Sequence, residues 1–126
     1  MKIIFDSLQP VYMQIAVAIE DEIISGTLPE GAAAYSQLIL ARDLQVNPAT
    51  AAKGINLLVA KGVLEKQRGA NMTVAHGARE KLLDERRETK INDLISDLVT
   101  EAKKTGVDIT TITQKIAAQM QQEEAT

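Results

Sequence analysis

Apolar residues recur at helical spacing in five stretches of the chain, each bounded by residues that start or stop helices. In the first, Val11, Ile15, Ile19 and Ile23 repeat every fourth position with Ala18 filling in, between Pro10 and the stop signal Gly26. The second opens at Ser36, an N-cap residue type, and turns Leu40, Ala41 and Leu44 inward. The third, residues 47–61, begins with Asn47-Pro48 and ends before Gly62, with Ala51, Ile55, Leu58 and Val59 on one face. The fourth, residues 78–104, has no Gly or Pro and carries Leu83, Ile91, Leu94, Ile95, Leu98 and Ala102 as a stripe. Unbroken, it would be about 38 Å long at the α-helical rise. After Gly106, Asp108 caps a last helix with Ile109, Ile112, Ile116 and Met120 on its apolar face and Val107 against Ile112 as a staple.

The remaining segments predict the connections. Residues 2–5, KIIF, are a short apolar arm, and residues 26–34 are a loop punctuated by Pro29 and Gly31. The second and third helices, with Val46 in the short turn between them, form a helix-turn-helix. Residues 63–66 and 72–75 extend as two strands of a hairpin, with Gly69 and Asn71 suited to its turn and Arg68 near the tip. The other reading of this segment is a loop that caps the core. The expected fold is mainly α: a winged helix-turn-helix over residues 1–75 with a small β-hairpin wing, then a two-helix tail over residues 76–126. Two helices joined by a tight turn cannot bury both their stripes, which points to a second copy of the chain as partner. Folding back of the tail onto the first domain is the alternative. The expected dimerisation residues are Leu83, Ile91, Leu94, Ile95, Leu98, Ile112 and Ile116.

The outer face of the third helix shows Ala49, Thr50, Ala52, Lys53 and Asn56. It has no bulky side chain near its start, which suits a helix lying deep in a DNA groove, although an ordinary solvated face has the same pattern. The net charge of −3 seems to oppose nucleic acid, but its distribution does not. Residues 1–40 carry −4 and residues 77–126 carry −2, whereas residues 41–76 carry +3. Screening limits the reach of exposed charges to roughly 10 Å, so the local balance decides whether phosphates are attracted. In that groove Lys53 can reach a base edge, and Arg68 can enter the minor groove.

Other classes find little support. There is no cysteine, a single histidine, His76, and only 2% aromatic residues: Phe5, Tyr12 and Tyr35. Disulfide frameworks and thiolate metal sites are thereby excluded, and three aromatic residues argue against a stacking platform for single strands. No motif with a catalytic mechanism occurs, so no enzyme, cofactor or metal is expected. The chain lacks a run of about eighteen apolar residues, and its first ten residues are too short in apolar content for a secretory signal. A soluble, cytoplasmic protein is expected.

Taken in order, PVYMQI at 10–15, IISGTLPEG at 23–31, LARDLQVNPATAAKGINLLVAKGVLEK at 40–66 and QRGANMTV at 67–74 resemble the GntR family of bacterial winged-helix repressors. The match spans about residues 7–75. The NPAT start of the third helix and the short two-helix tail resemble the YtrA subfamily, whose members dimerise through that tail and commonly repress operons that include ABC transporter genes. The resemblance implies a homodimer on a double-stranded, palindromic operator. It places Ser36 against a phosphate; Asn47, Ala49, Thr50 and Lys53 along the DNA-facing side of the recognition helix; and Arg68 and Gly69 in the minor groove. One departure stands out. Where the family has an arginine, this chain has Leu38, leaving that contact to be supplied elsewhere, by Gln37 or Arg42. The wing's second glycine is replaced by Asn71. The alternative from another class is a winged helix used for protein–protein assembly without DNA specificity. A small-molecule effector has no motif to support it.

Overall fold

The computed structural model describes residues 1–67 and 72–124, which divide into two compact units, Met1–Glu85 and Arg86–Thr126. In the first unit, helix α1 spans Val11–Ser25 and ends on Gly26, whose φ of 87° is the left-handed cap that glycine adopts without strain. Its inward face is Ile15, Ala16, Ile19, Glu20 and Ile23. Ala16 is buried and Ala18 only partly, so the stripe is rotated slightly from the expected one. Helix α2, Gln37–Leu44, buries Leu40 and Ala41; α3, Pro48–Ala60, buries Ala51, Gly54, Ile55 and Leu58. Three residues separate α2 from α3, and Gln45 takes the left-handed conformation that the tight turn requires (φ 55°).

Glycine at position 54 serves packing. A Cβ there would lie 2.9 Å from the Tyr12 carbonyl oxygen and 3.2 Å from the Ile15 side chain, so its absence lets α1 and α3 approach closely. Strand β1, Leu64–Glu65, pairs antiparallel with β2, Thr73–Val74, in the register Leu64↔Val74 and Glu65↔Thr73. The preceding loop is not merely a connection: Ala33 bridges Thr73, Ala34 N donates to Met72 O at 2.7 Å, and Val74 N donates to Ala32 O at 3.0 Å. Residues 32–34 thus cover the outer edge of β2, satisfying backbone groups that an edge strand leaves unpaired. At the N-terminus Met1, Ile3 and Phe5 pack on the core while Ile4 is exposed, and Gln14 pins this arm with side-chain bonds to Asp6 and Gln9.

The first unit does not stop at residue 75. Helix α4, Ala78–Glu85, buries Ala78 and Leu82 in the same core and is tied down at both ends. Glu30 accepts from Arg79 N at 3.3 Å at the start of α4, and Arg79 Nε donates to Ile24 O at 2.9 Å near the end of α1. Backbone donors at Gly77 and Arg79 hold the Glu30 carboxyl below its ordinary pKa. Lys61 Nζ joins three helices, donating to Glu20 at 2.6 Å and to Glu85 at 2.8 Å. Glu20 is the one charged side chain among the buried residues described, and this cation is what permits its burial.

The expected helical stretch over 78–104 is helical throughout, but its register changes: it runs as α4, a π-helical turn at Arg86–Lys90, and α5 over Ile91–Thr105. The turn, RRETK, has no apolar residue and none of its residues is fully buried, so no core contact fixes it to α-helical register. Helix α6, Ile109–Glu124, follows the left-handed Gly106. Asp108 accepts from Thr111 N at 2.9 Å, the expected cap, and that bond holds its carboxyl below the ordinary pKa. Helices α5 and α6 do not pack along their lengths. Between them lies an apolar groove lined by Leu98, Ala102, Val107, Ile112 and Ile116. No helix among the described residues is long and apolar enough to cross a membrane.

Candidate nucleic-acid interface

The start of α3 is built by its own sequence. Asn47 is extended (φ −61°, ψ 135°) and its side-chain oxygen accepts from Ala49 N at 2.8 Å, while Pro48 occupies a position whose N–H has no helical partner. Burial of Ala51, Gly54, Ile55 and Leu58 against α1 and α2 turns Ala49, Lys53 and Asn56 to solvent. Thr50 is half-buried at the flank of this face. The face is small at its start, with Ala49, and polar beyond it, with Lys53 and Asn56, which is what close approach to a groove requires.

Helix α2 is anchored beside it. Gln37 Nε2 donates to Pro48 O at 3.3 Å, bringing the first turns of the two helices together. Ser36 holds the N-cap position of α2, but its hydroxyl makes no capping bond to the helix. Ser36 and Gln37 open into a shallow cleft with Asn56 of α3 and Lys66, just past β1; Tyr35, Ile55 and Met72 form its floor. A hydroxyl, two amides and an ammonium from three elements thus converge on one place. Asn56 and Lys66 were visible in the sequence, as an outer-face residue and a member of the basic segment, but only the fold brings them beside Ser36.

Two cations differ from what sequence position implies. Lys53 is exposed, and its Nζ lies 4.2 Å from the centroid of the Tyr12 ring on α1. An exposed cation–π contact of this kind is worth about 0.5–1 kcal/mol. A good base contact is worth about 1–3 kcal/mol, so the ring can yield Lys53 to a ligand. Lys61, by contrast, is committed to Glu20 and Glu85. Its pKa is raised: burial acts to lower it, but the bonds to the two carboxylates outweigh burial. It belongs to the scaffold, and the basic segment therefore offers fewer cations to a ligand than its charge of +3 suggests. Arg42 stays accessible, its side chain 76% exposed beside Asp43. Arg68 and Gly69 lie outside the described residues.

The acidic end of α1 is absorbed in similar fashion. Glu20 faces Lys61, and Glu22 accepts a hydrogen bond from the Tyr35 hydroxyl. Burial and that carboxylate together push the Tyr35 pKa up to about 12.

No family model and no curated protein matches the chain. Solved structures do. A GntR family transcriptional regulator from Listeria monocytogenes superposes with a TM-score of 0.75 at 24% identity, covering 90% of this chain and 98% of that one. The fold is that of a GntR-type winged helix. Another GntR-family transcription factor, YtrA from Sulfolobus acidocaldarius, matches 97% of both chains at 26% identity with a TM-score of 0.57. A structure described as a transcriptional antiterminator from Listeria monocytogenes EGD-e matches 98% of this chain and 90% of its own at 30% identity, with a TM-score of 0.69. Each of these three structures matches 90% or more of this chain, so the similarity includes the tail as well as the winged helix.

Proposed function

We propose that this chain is a GntR-family transcriptional regulator of the YtrA type, which binds a palindromic DNA operator as a homodimer and represses transcription, a transporter operon being its target. The observation that carries this reading is the convergence of the uncluttered start of α3 with the polar cleft of Ser36, Gln37, Asn56 and Lys66. Base edges lie toward Ala49 and Lys53, and the backbone phosphate lies toward the cleft. Asn47, Ala49, Thr50 and Lys53 form the reading face, with Arg68 and Gly69 continuing it into the minor groove.

The half-exposed stripe Ile91, Leu94, Ile95 and Leu98 on α5, with Ile112 and Ile116 on α6, forms the dimer seam, as α5 and α6 leave it open. Leu83 lies in α4 of the first unit, half-buried, and contributes less to such a seam than the α5 residues. A two-fold dimer presents two recognition helices to major grooves about 34 Å apart.

The test is selection of duplexes from a randomised pool by the full chain, followed by gel shift of the selected duplex and of its RNA transcript. Enrichment of an inverted repeat is expected, with the RNA left unbound. Affinity should fall with salt at a log–log slope of roughly −5, from Arg42, Lys53 and Lys66 of two protomers at about −0.9 per phosphate. Preference for the transcript would favour an RNA-directed role instead. Absence of any enriched sequence would leave an assembly module.

A further inference from the structure

Leu38 is 67% exposed in the first turn of α2, and its neighbour Ile39 is 48% exposed. Neither is needed by the core, because α2 packs through Leu40 and Ala41, with Leu44 half-buried against the same cluster. Leu38 shares a helix face with Arg42, one turn further on. Its predecessor Gln37 is held to Pro48 O at 3.3 Å, so the first turn of α2, which carries Leu38, is fixed beside the start of α3.

A branched apolar side chain at this place meets few suitable groups on a nucleic acid. Against the phosphodiester backbone it would displace water from charged oxygens and supply no hydrogen bond. Base edges in the major groove present donors and acceptors, with one apolar exception, the C5 methyl of thymine. We infer that Leu38 is a specificity-determining residue that packs on a thymine methyl in the major groove, beside the bases met by the start of α3. This inference rests on the DNA-binding reading above. It explains how a leucine is accommodated beside a reading surface of small and polar side chains, and it makes part of the sequence preference apolar.

The experiment uses the full chain and the duplex it selects from a randomised pool. Each thymine in turn is replaced by deoxyuridine, which removes only the methyl group. Wild type should lose about fourfold in affinity at one position per half-site, the value of one buried methyl-sized group. Leu38→Ala, which removes the contact from both half-sites of the dimer, should bind the parent duplex about sixteenfold more weakly and be indifferent to the same replacement. Leu38→Arg should shift the preferred base there from thymine to guanine. Leu38 is exposed, so both variants should retain the circular dichroism of the parent. Indifference of the wild type to every thymine-to-uracil replacement overturns the inference while leaving DNA binding intact, as does a Leu38→Ala variant that remains equally sensitive. Failure to select any duplex overturns the DNA-binding reading itself, and this inference with it.

Discussion

The two units of this chain treat apolar residues in opposite ways. In the first, Ile15, Ile19, Leu40, Leu58 and Val63 are no more than 1% exposed, and even an acidic side chain, Glu20, is enclosed with its cation. In the second, Ile91, Leu94, Ile95 and Leu98 remain 41–52% exposed, and Ala102 is the one residue described there as buried. Both units have clear helical periodicity and well-defined ends, so the difference does not come from helix propensity. It comes from the number of elements that can share a core. Four helices, a β-hairpin and the bridging residues 32–34 share one core within the first unit, whereas the second unit consists of α5 and α6 after the π-helical turn. An amphipathic helix without a facing surface leaves its stripe for another molecule.

The comparison can be broken most strongly at the seam. Leu94→Glu combined with Leu98→Glu should abolish dimerisation at micromolar concentration, since unpaired buried charges cost several kcal/mol. Helicity should change little, because both positions are about half-exposed in a single chain. Sedimentation decides, and a dimer that survives both charges would put the interface elsewhere. In the first unit, Leu58→Ala should cost about 2–5 kcal/mol in denaturant unfolding, largely as a cavity. That loss should be independent of protein concentration if the core is complete within one chain. Gly54→Ala comes next, at roughly 1–3 kcal/mol. Alanine normally favours a helix interior, so a stabilised Gly54→Ala variant would show that α1 can move away from α3.

A smaller effect appears at high pH. Tyr35 is held neutral up to about 12, and Lys61 is held charged above its ordinary range. The stability that each contributes is present below its unfolded pKa and lost as pH rises through the folded value. Unfolding free energy should therefore decline between about pH 10 and pH 12, and Tyr35→Phe should flatten part of that decline. An unchanged profile in Tyr35→Phe would assign the loss to Lys61. Least of all, Lys53→Ala should cost no more than about 0.5–1 kcal/mol of stability through Tyr12. Its loss on operator binding should be larger, about 1–3 kcal/mol concentrated at one base position. Equal weakening on all operator variants would make Lys53 a phosphate contact instead.

The features legible in the sequence are those with local signals. Pro10 and Gly26 bound α1, Asn47-Pro48 opens α3, Asp108 caps α6, and Gly106 closes α5, each through bonds within a few residues. The π-helical turn is not legible in the sequence because RRETK is a good helical sequence on propensity and nothing local in it marks a change of helical register. Leu82, buried at 1%, is off the stripe that contains Leu83 because α-helical spacing carried back from α5 does not allow for the shift of register at the π-helical turn. Residues 32–34 read as a plain loop because Ala-Ala-Ala has no alternation; their pairing with β2 is non-local.

Helix limits, the helix-turn-helix and the basic character of its segment were thus determined by the sequence alone, since caps, periodicity and charge act over one or two turns. Which charges remain available was decided by the tertiary structure. Lys61 and Glu20 are 41 positions apart, and nothing near either announces the other. The same holds for Lys53 over Tyr12 and for the cleft that joins Ser36 to Asn56 and Lys66. Such contacts depend on how closely helices approach, and here Gly54 sets that distance by having no side chain to oppose the backbone of Tyr12.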